Sequence, residues 1–193
     1  VAALDLTLFC FYSSTIIMEA NLTKAEYAVL GLLVEKPAHG WDLEQVIEQR
    51  NMRDWTELAF SSIYYVLKRL QKKDLVQILP TEKTGKGTRK VYMPTDTGRS
   101  LHSDTTLKFL GEPENLYPAL LLGLANWMAV DPYKALGMLT QRKTALLAIC
   151  DDLEMKSKAE PVFVGLMFDY SLVHLKAELD WIETALTRLG DLS

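Results

Sequence analysis

The hydrophobic pattern of this chain changes its period once, at about Leu75. Before that point, apolar residues recur at the three- and four-residue spacing of α-helices. After it, "LVQILPTEK" and "TRKVYMPT" are short segments rich in β-branched and aromatic residues. Between them lies "TGKGT", whose two glycines permit the tight backbone of a hairpin turn. The sequence therefore predicts helices followed by a β-hairpin.

Three helices are predicted before the hairpin. Thr23 and Glu26 form a capping box at the start of the first helix, which stops before Pro37. "WDLEQVIEQR" is the second helix, with an inner face of Leu43, Val46 and Ile47. The third is "SSIYYVLKRLQKKDLV", which Ser61 or Ser62 can cap. Three helices and a hairpin, in this order, are typical of a winged helix-turn-helix.

The third helix has two contrasting faces. At 100° per residue, its apolar residues share one narrow sector that must pack inward, namely Ile63, Val66, Leu67 and Leu70. The opposite sector holds Ser61, Tyr65, Lys68, Arg69 and Lys72, with no carboxylate to neutralise the cations. A surface helix without a partner usually alternates Glu with Lys for support. The outer face is therefore expected to contact a polyanion.

The distribution of charge points to DNA as that polyanion. The whole chain has a formal net charge of −4, yet residues 61–100 contain nine basic and three acidic residues. Residues 101–193 contain eight basic and thirteen acidic residues. A local basic block on an acidic chain is the expected footprint of a duplex-binding surface. The predicted DNA-binding residues are Ser61, Ser62, Tyr64, Tyr65, Lys68, Arg69, Lys72, Lys83, Lys86, Arg89 and Lys90.

The chain after about residue 113 is predicted to be entirely helical. "ENLYPALLLGLANWMAV" is apolar almost all round, so we expect it to be buried on several sides. A helix capped by Asp131, with Pro132 at its first position, carries an apolar seam of Leu136, Leu139, Leu146, Leu147 and Leu153. A last helix of nearly 30 residues ends at Gly190. Such helices favour a dimerisation domain, and an intrachain bundle is the alternative.

The predicted fold class is therefore mostly α with a small β-hairpin, in two domains. Residues 18–104 form the winged helix-turn-helix, and residues 105–193 form the helical dimerisation domain, which also offers a place for an effector. Residues 1–17 are apolar, lack Lys and Arg, and contain Asp5, which makes them a poor signal peptide. We expect them to be an extension upstream of a native start at Met18. An arm that packs on a partner subunit is the alternative.

The residues that catalysis would need do not form a recognisable set. Cys10 and Cys150 are too few for a disulfide framework or a tetrahedral zinc site, and the three histidines are widely spaced. No glycine-rich phosphate loop or nucleophile motif is present. His39, in a Pro/Gly turn, is expected to cap a helix or to bond to backbone. We therefore expect no enzyme activity, cofactor or metal, and no apolar run reaches the roughly 18–20 residues of a membrane span.

Three segments of the chain resemble the PadR family of bacterial transcriptional regulators. They are "LTKAEYAVLGLLVEKPAHGWDLEQVIEQR", "SSIYYVLKRLQKKDLV" and "TRKVYMPTDTGRSLHSD". Within them, Tyr64 matches the family tyrosine, and Tyr92 to Arg99 match a Y-x-x-T-x-x-G-R run. "AELDWIETAL" on the last helix is similar to the larger subfamily, whose all-helical second domain dimerises. Two positions depart from the pattern: Trp41 replaces a usual Tyr, and Asp74 replaces a frequent Gly.

The resemblance implies a cytoplasmic homodimer that binds a palindromic operator and represses transcription. It also implies release of DNA by a small aromatic, such as a phenolic acid. Candidate effector contacts are Tyr117, Trp127, Phe163, Phe168, Tyr170 and Trp181, and core or dimer packing is the alternative role for them. The alternative function is a winged-helix protein-interaction module, or an activator without small-molecule control. The all-cationic outer face argues against the interaction module.

Overall fold

The computed structural model describes residues 22–56, 58, 63–79, 90–158 and 161–190. The chain divides into two compact units, and the boundary falls between Glu114 and Asn115. The predicted extension at residues 1–17 and most of the predicted hairpin tip lie outside the described residues.

The described residues of the first unit form four α-helices and a three-stranded sheet. The elements in chain order are α1 (Lys24–Glu35), β1 (Ala38–His39), α2 (Gly40–Gln49), α3 (Ile63–Lys72), β2 (Val76–Ile78), β3 (Val91–Pro94) and α4 (Asp96–Gly111). The strands pair antiparallel in the order β1-β3-β2. The predicted fold class, with a winged helix at the N-terminal end, is confirmed. Strand β1 was not predicted, because two residues are too short to show a periodic pattern.

The capping box predicted at the start of α1 is present. The Glu26 backbone N–H donates to Thr23 Oγ1 at 3.2 Å, and the Thr23 N–H donates to Glu26 Oε2 at 2.9 Å. Two N–H groups that the first turn of a helix would leave without partners are thereby satisfied. The position of Glu26 is thus defined by its own backbone before any tertiary contact is made.

The core of the first unit lies between α1, α2 and α3. All four residues predicted to face inward from α3 are buried, as are Leu43 and Ile47 of α2, while Val46 is half-buried. They pack with Val29, Leu30 and Leu33 of α1. Full burial of each such aliphatic side chain contributes about 1.5–3 kcal/mol relative to an exposed one. The apolar face therefore anchors α3 firmly and leaves its polar face outward.

A close backbone junction connects α3 to α4. Asp74 adopts a left-handed conformation with φ 57°, and the Asp74 and Leu75 N–H groups donate to the Gln71 and Leu70 carbonyls. This pair of bonds is the Schellman arrangement that ends many helices. The Leu75 carbonyl then accepts from the Thr95 N–H at 3.0 Å, and a Cβ added at Gly98 would lie 2.1 Å from that carbonyl oxygen. Only glycine fits there.

The second unit consists mainly of two long helices. The helices are α5 (Ala119–Ala125), α6 (Pro132–Ser157) and α7 (Val162–Gly190). Asp131 caps α6 as predicted, by accepting from the Lys134 N–H at 2.9 Å. Helices α6 and α7 pack antiparallel, joined by ion pairs such as Lys143–Glu183 and Lys176–Glu154. Their shared core is Leu139, Leu146, Cys150, Leu172, Leu179 and Ile182.

Two predictions about the second unit are wrong for the single chain. The segment expected to be buried on several sides has no buried residue in α5, and Leu122 and Met128 are 71% and 93% exposed. Leu147, assigned to the seam of α6, is also exposed, whereas Leu139 and Leu146 are buried in it. The physical reason is that two packed helices share one interface, so apolar residues beyond that stripe have nothing in the chain to cover them.

The left-handed conformation at Asp74 gives a first testable expectation. Replacing Asp74 by glycine should raise the free energy of unfolding by about 1 kcal/mol, because glycine adopts this conformation without a Cβ clash. Urea denaturation measures the change. The matched control is D74A, which also removes the charge but keeps a Cβ, and it should lower stability. An equal gain in D74G and D74A would show that charge, not backbone conformation, is responsible.

Candidate nucleic-acid interface

Helix α3 presents an exposed cationic stripe. Tyr65, Lys68 and Lys72 follow one another at spacings of three and four residues, so they lie along one line of the helix surface. All three side chains are exposed. Neither lysine has an acidic partner among the residues that the structure describes. We call Tyr65, Lys68 and Lys72 the cationic stripe.

Arg69 is placed differently from the other predicted contacts of α3. Its Nε lies 2.8 Å from Oε1 of Glu26 on α1, and its guanidinium carbon lies 5.7 Å from the Tyr65 ring centre. The expectation that no carboxylate neutralises the outer cations is therefore wrong for Arg69. A helical wheel compares residues of one helix only, and this carboxylate belongs to another.

Glu26 of α1 is a fully buried charged residue that pairs with cations at the end of α3. Lys73 Nζ donates to its Oε2 at 2.8 Å, while Arg69 approaches Oε1 without hydrogen-bond geometry. Burial, the largest single influence, raises the pKa of Glu26. The hydrogen bonds from Lys73 and Thr23 and the charges of Lys73 and Arg69 together outweigh it and bring the pKa below its ordinary value. The carboxylate is therefore ionised at neutral pH.

Tyr64 lies on the opposite edge of α3, beside the N-terminus of α2. A Cβ added at Gly40 would lie 2.6 Å from the Tyr64 ring, so that ring covers the glycine closely. Lys90 is held nearby because its backbone carbonyl lies 3.0 Å from Nδ1 of His39, which confirms the expected backbone bond of this histidine. Tyr64 and Lys90 line one open groove together with His39, Gly40, Trp41, Asp42 and Tyr92.

The remaining predicted DNA contacts lie outside the described residues. They are Ser61, Ser62, Lys83, Lys86 and Arg89. In the described part of the chain, no three His, Cys, Asp or Glu side chains are grouped as a metal site would need. No helix within the described ranges is long and apolar enough to cross a membrane.

The six candidate effector residues all belong to the second unit. Tyr117 and Phe163 are 83% exposed, and Tyr170 is exposed as well. Trp127 is half-buried against the core of the unit, and Phe168 is half-buried on α7. Phe163 and Trp181 are eighteen residues apart on α7, which separates them by about 27 Å at 1.5 Å per residue. A single small aromatic therefore cannot contact all six within one chain.

An aromatic cluster on α1 and α4 was not found from the sequence. The ring of His102 stacks on Tyr27 with centroids 4.7 Å apart, and Phe109 meets Tyr27 edge-on at 4.8 Å. The Tyr27 hydroxyl lies 2.9 Å from Thr106 Oγ1. Burial lowers the pKa of His102 below its ordinary value of 6.5, so the ring is neutral at physiological pH.

Comparison with known proteins agrees with this geometry. Residues 29–103 match the model of the transcriptional regulator PadR-like family. No curated protein matches the chain. The described part of the first unit has a winged-helix fold, and residues 29–103 are similar to the domain that this family model describes.

Solved structures show the same fold over most of the chain. PadR of Bacillus subtilis in complex with operator DNA is 24% identical with a TM-score of 0.65, over 85% of this chain and 98% of that one. The same protein in complex with p-coumaric acid is 21% identical with a TM-score of 0.70, over 87% and 99%. The PadR-like regulator BC1756 of Bacillus cereus is 20% identical with a TM-score of 0.59, over 88% and 100%.

The half-buried His102 predicts how the stability of the first unit depends on pH. Because its folded pKa is depressed, His102 contributes stability that is fully present above pH 6.5 and is lost as pH falls toward the folded pKa. H102F keeps an aromatic ring on Tyr27 and removes the titration, so it should flatten the stability curve just below pH 6.5. Urea denaturation at several pH values tests this. If the free energy of unfolding falls with pH as steeply in H102F as in the unaltered protein, groups other than His102 cause the loss of stability.

Proposed function

We propose that this protein is a sequence-specific DNA-binding transcriptional regulator that acts as a homodimer on a palindromic operator. The observation that carries the proposal is the cationic stripe. It is exposed on the third helix of a winged helix-turn-helix, and neither lysine has an acidic partner among the described residues. The match of residues 29–103 to a family of transcriptional regulators supports the same function.

The dimensions of α3 suit the major groove. An α-helix with its side chains is about 10–12 Å in diameter, and the major groove of B-DNA is about 12 Å wide, so α3 can lie within it. In this arrangement Lys68 and Lys72 neutralise phosphates, and Tyr65 reaches a phosphate or a base edge. Tyr64 and Lys90 would contact the backbone at the edge of the groove. Ser61, Ser62, Lys83, Lys86 and Arg89 are proposed contacts from their positions in sequence.

We propose that dimerisation occurs through the second unit. An exposed apolar stripe runs along α7 through Phe163, Leu166, Tyr170 and Val173, at spacings of three and four residues. A self-complementary helical surface is well suited to a two-fold interface. Two-fold symmetry would place two copies of α3 in successive major grooves, about 34 Å or a multiple of it apart, which requires a palindromic site.

We further propose that the regulator represses in the cytoplasm and that a small aromatic acid releases it from DNA. The Bacillus subtilis neighbour was solved with operator DNA and with p-coumaric acid, and these two complexes support the proposal. Trp127 and Phe168 are the best candidate effector contacts in this chain. They are half-buried aromatic residues, which can cover a planar ligand on one side.

The DNA-binding proposal is tested with the promoter region beside the protein's own gene. K68A/K72A should bind this duplex at least tenfold more weakly than the unaltered protein, because two phosphate contacts are lost. The matched control is K134A/K158A, which removes two exposed cations from the second unit and should bind normally. Gel shifts at several salt concentrations provide the measurement. A flat salt response in the unaltered protein would favour the protein-interaction function instead.

The dimer proposal is tested on the stripe of α7. L166E/V173E should sediment as a monomer while keeping its helical circular dichroism, because both side chains are already exposed in the single chain. T184E/T187E adds the same two charges to exposed polar positions of α7 and should remain dimeric. If L166E/V173E is still a dimer, the interface lies elsewhere.

A further inference from the structure

The four cations at the C-terminal end of α3 and directly after it occupy two different environments. Lys68 and Lys72 are exposed, with no acidic partner among the described residues. Arg69 and Lys73 lie on the edge that faces α1, each 2.8 Å from an oxygen of Glu26. The side chains of Arg69 and Lys73 are 40% and 26% exposed, so part of each remains within reach of solvent.

The carboxylate of Glu26 depends on both cations for its stability more than an exposed carboxylate would. Its side chain is fully buried, and an ionised carboxylate in that position is strongly unfavourable without opposite charge and hydrogen bonds. If Arg69 or Lys73 turned toward a DNA phosphate, the buried carboxylate would lose its partner. A contact with an exposed DNA phosphate stabilises either cation less than the pair with Glu26 does, because water and counterions screen the phosphate. Arg69 and Lys73 are therefore expected to stay paired with Glu26 when DNA is bound.

Other contacts of the cluster strengthen this hold. The Arg69 guanidinium lies 5.7 Å from the centre of the Tyr65 ring, which is a cation–π contact. Oε2 of Glu26 also accepts from the Thr23 N–H, so one carboxylate ties the first turn of α1 to the last turn of α3. Together with the buried apolar face of α3, this connection fixes the rotation of α3 about its own axis.

We propose that Glu26 is a positioning residue that withholds Arg69 and Lys73 from DNA, so that of these four cations only Lys68 and Lys72 face the duplex. This inference rests on the proposed DNA-binding function and goes beyond it, because it removes Arg69 from the contacts expected from the sequence. It also assigns a role in DNA discrimination to a residue that cannot itself touch DNA. Withholding two cations limits sequence-independent attraction to phosphates, which is the main part of non-specific binding.

The test compares the salt dependence of binding across variants, on the promoter duplex and on a random-sequence duplex of the same length. Affinity falls as salt is added, and each phosphate contact contributes about 0.9 to the magnitude of the slope of log affinity against log salt concentration. We call this magnitude the slope. K68A should lower the slope by about that amount. E26Q releases both cations, so it should raise the slope by up to about 2 and bind random DNA more tightly relative to the promoter.

A triple variant keeps the test decisive where E26Q alone folds poorly. E26Q/R69M/K73M removes the buried carboxylate together with both partners, so no charge is left uncompensated in the core. It should bind the promoter duplex with the slope of the unaltered protein. R69A should likewise leave the slope unchanged, in contrast to K68A. A loss of about 0.9 in R69A, or of about 2 in the triple variant, would overturn the proposal.

Failure of this inference can be told apart from failure of the proposed function. If the unaltered protein does not prefer the promoter duplex and K68A leaves the slope unchanged, the DNA-binding function itself is wrong. If K68A lowers the slope and R69A lowers it equally, DNA binding holds and only the withholding by Glu26 is wrong. If E26Q is less stable but keeps the salt slope and the promoter preference of the unaltered protein, the role of Glu26 is purely structural and the proposal is wrong.

Discussion

The buried carboxylate of Glu26 is the interaction on which the arrangement of the first unit depends. It accepts from the Thr23 backbone and from Lys73, and it contacts Arg69, so one side chain connects the beginning of α1 to the end of α3. Replacing such a cluster by apolar groups can be neutral, but removing one member strands a charge in the core at a cost of several kcal/mol. The cluster therefore acts as a constraint on the orientation of α3. Together with the buried apolar face of α3, that constraint keeps Lys68 and Lys72 directed outward.

The junction at Leu75 extends the same constraint to the wing, which is the antiparallel pair of strands β2 and β3. Asp74 turns the chain through a left-handed conformation, and β2 begins two residues later at Val76. The Leu75 carbonyl accepts from Thr95, and Gly98 leaves room for that contact. The chain enters the wing along β2 and leaves it along β3 within a few ångströms of the same carbonyl. The root of the wing is thus located relative to α3 by backbone hydrogen bonds, which side-chain changes on the surface do not disturb.

Features determined by neighbouring residues could be predicted from the sequence, and features determined by distant residues could not. The caps at Thr23 and Asp131 and the inward residues of α3 follow from spacing within one helix. Glu26 could be interpreted as part of a cap, yet its contact with Lys73 joins residues 47 positions apart. No periodicity carries that information. For the same reason Arg69 was grouped with Lys68 and Lys72, although the structure separates them.

The second unit shows a different limit, since its sequence is apolar on more sides than one chain can cover. Two antiparallel helices bury one stripe each, and Leu166, Tyr170 and Val173 of α7 lie outside it. Monomeric proteins rarely expose contiguous apolar surface of this kind, because each square ångström left in water forgoes about 25 cal/mol. Packing of this stripe against the same stripe of a second copy would bury it and gain that free energy. The same apolar excess that misled the prediction of burial in α5 is therefore the strongest physical reason to expect a homodimer, and a palindromic operator is the DNA site that such symmetry requires.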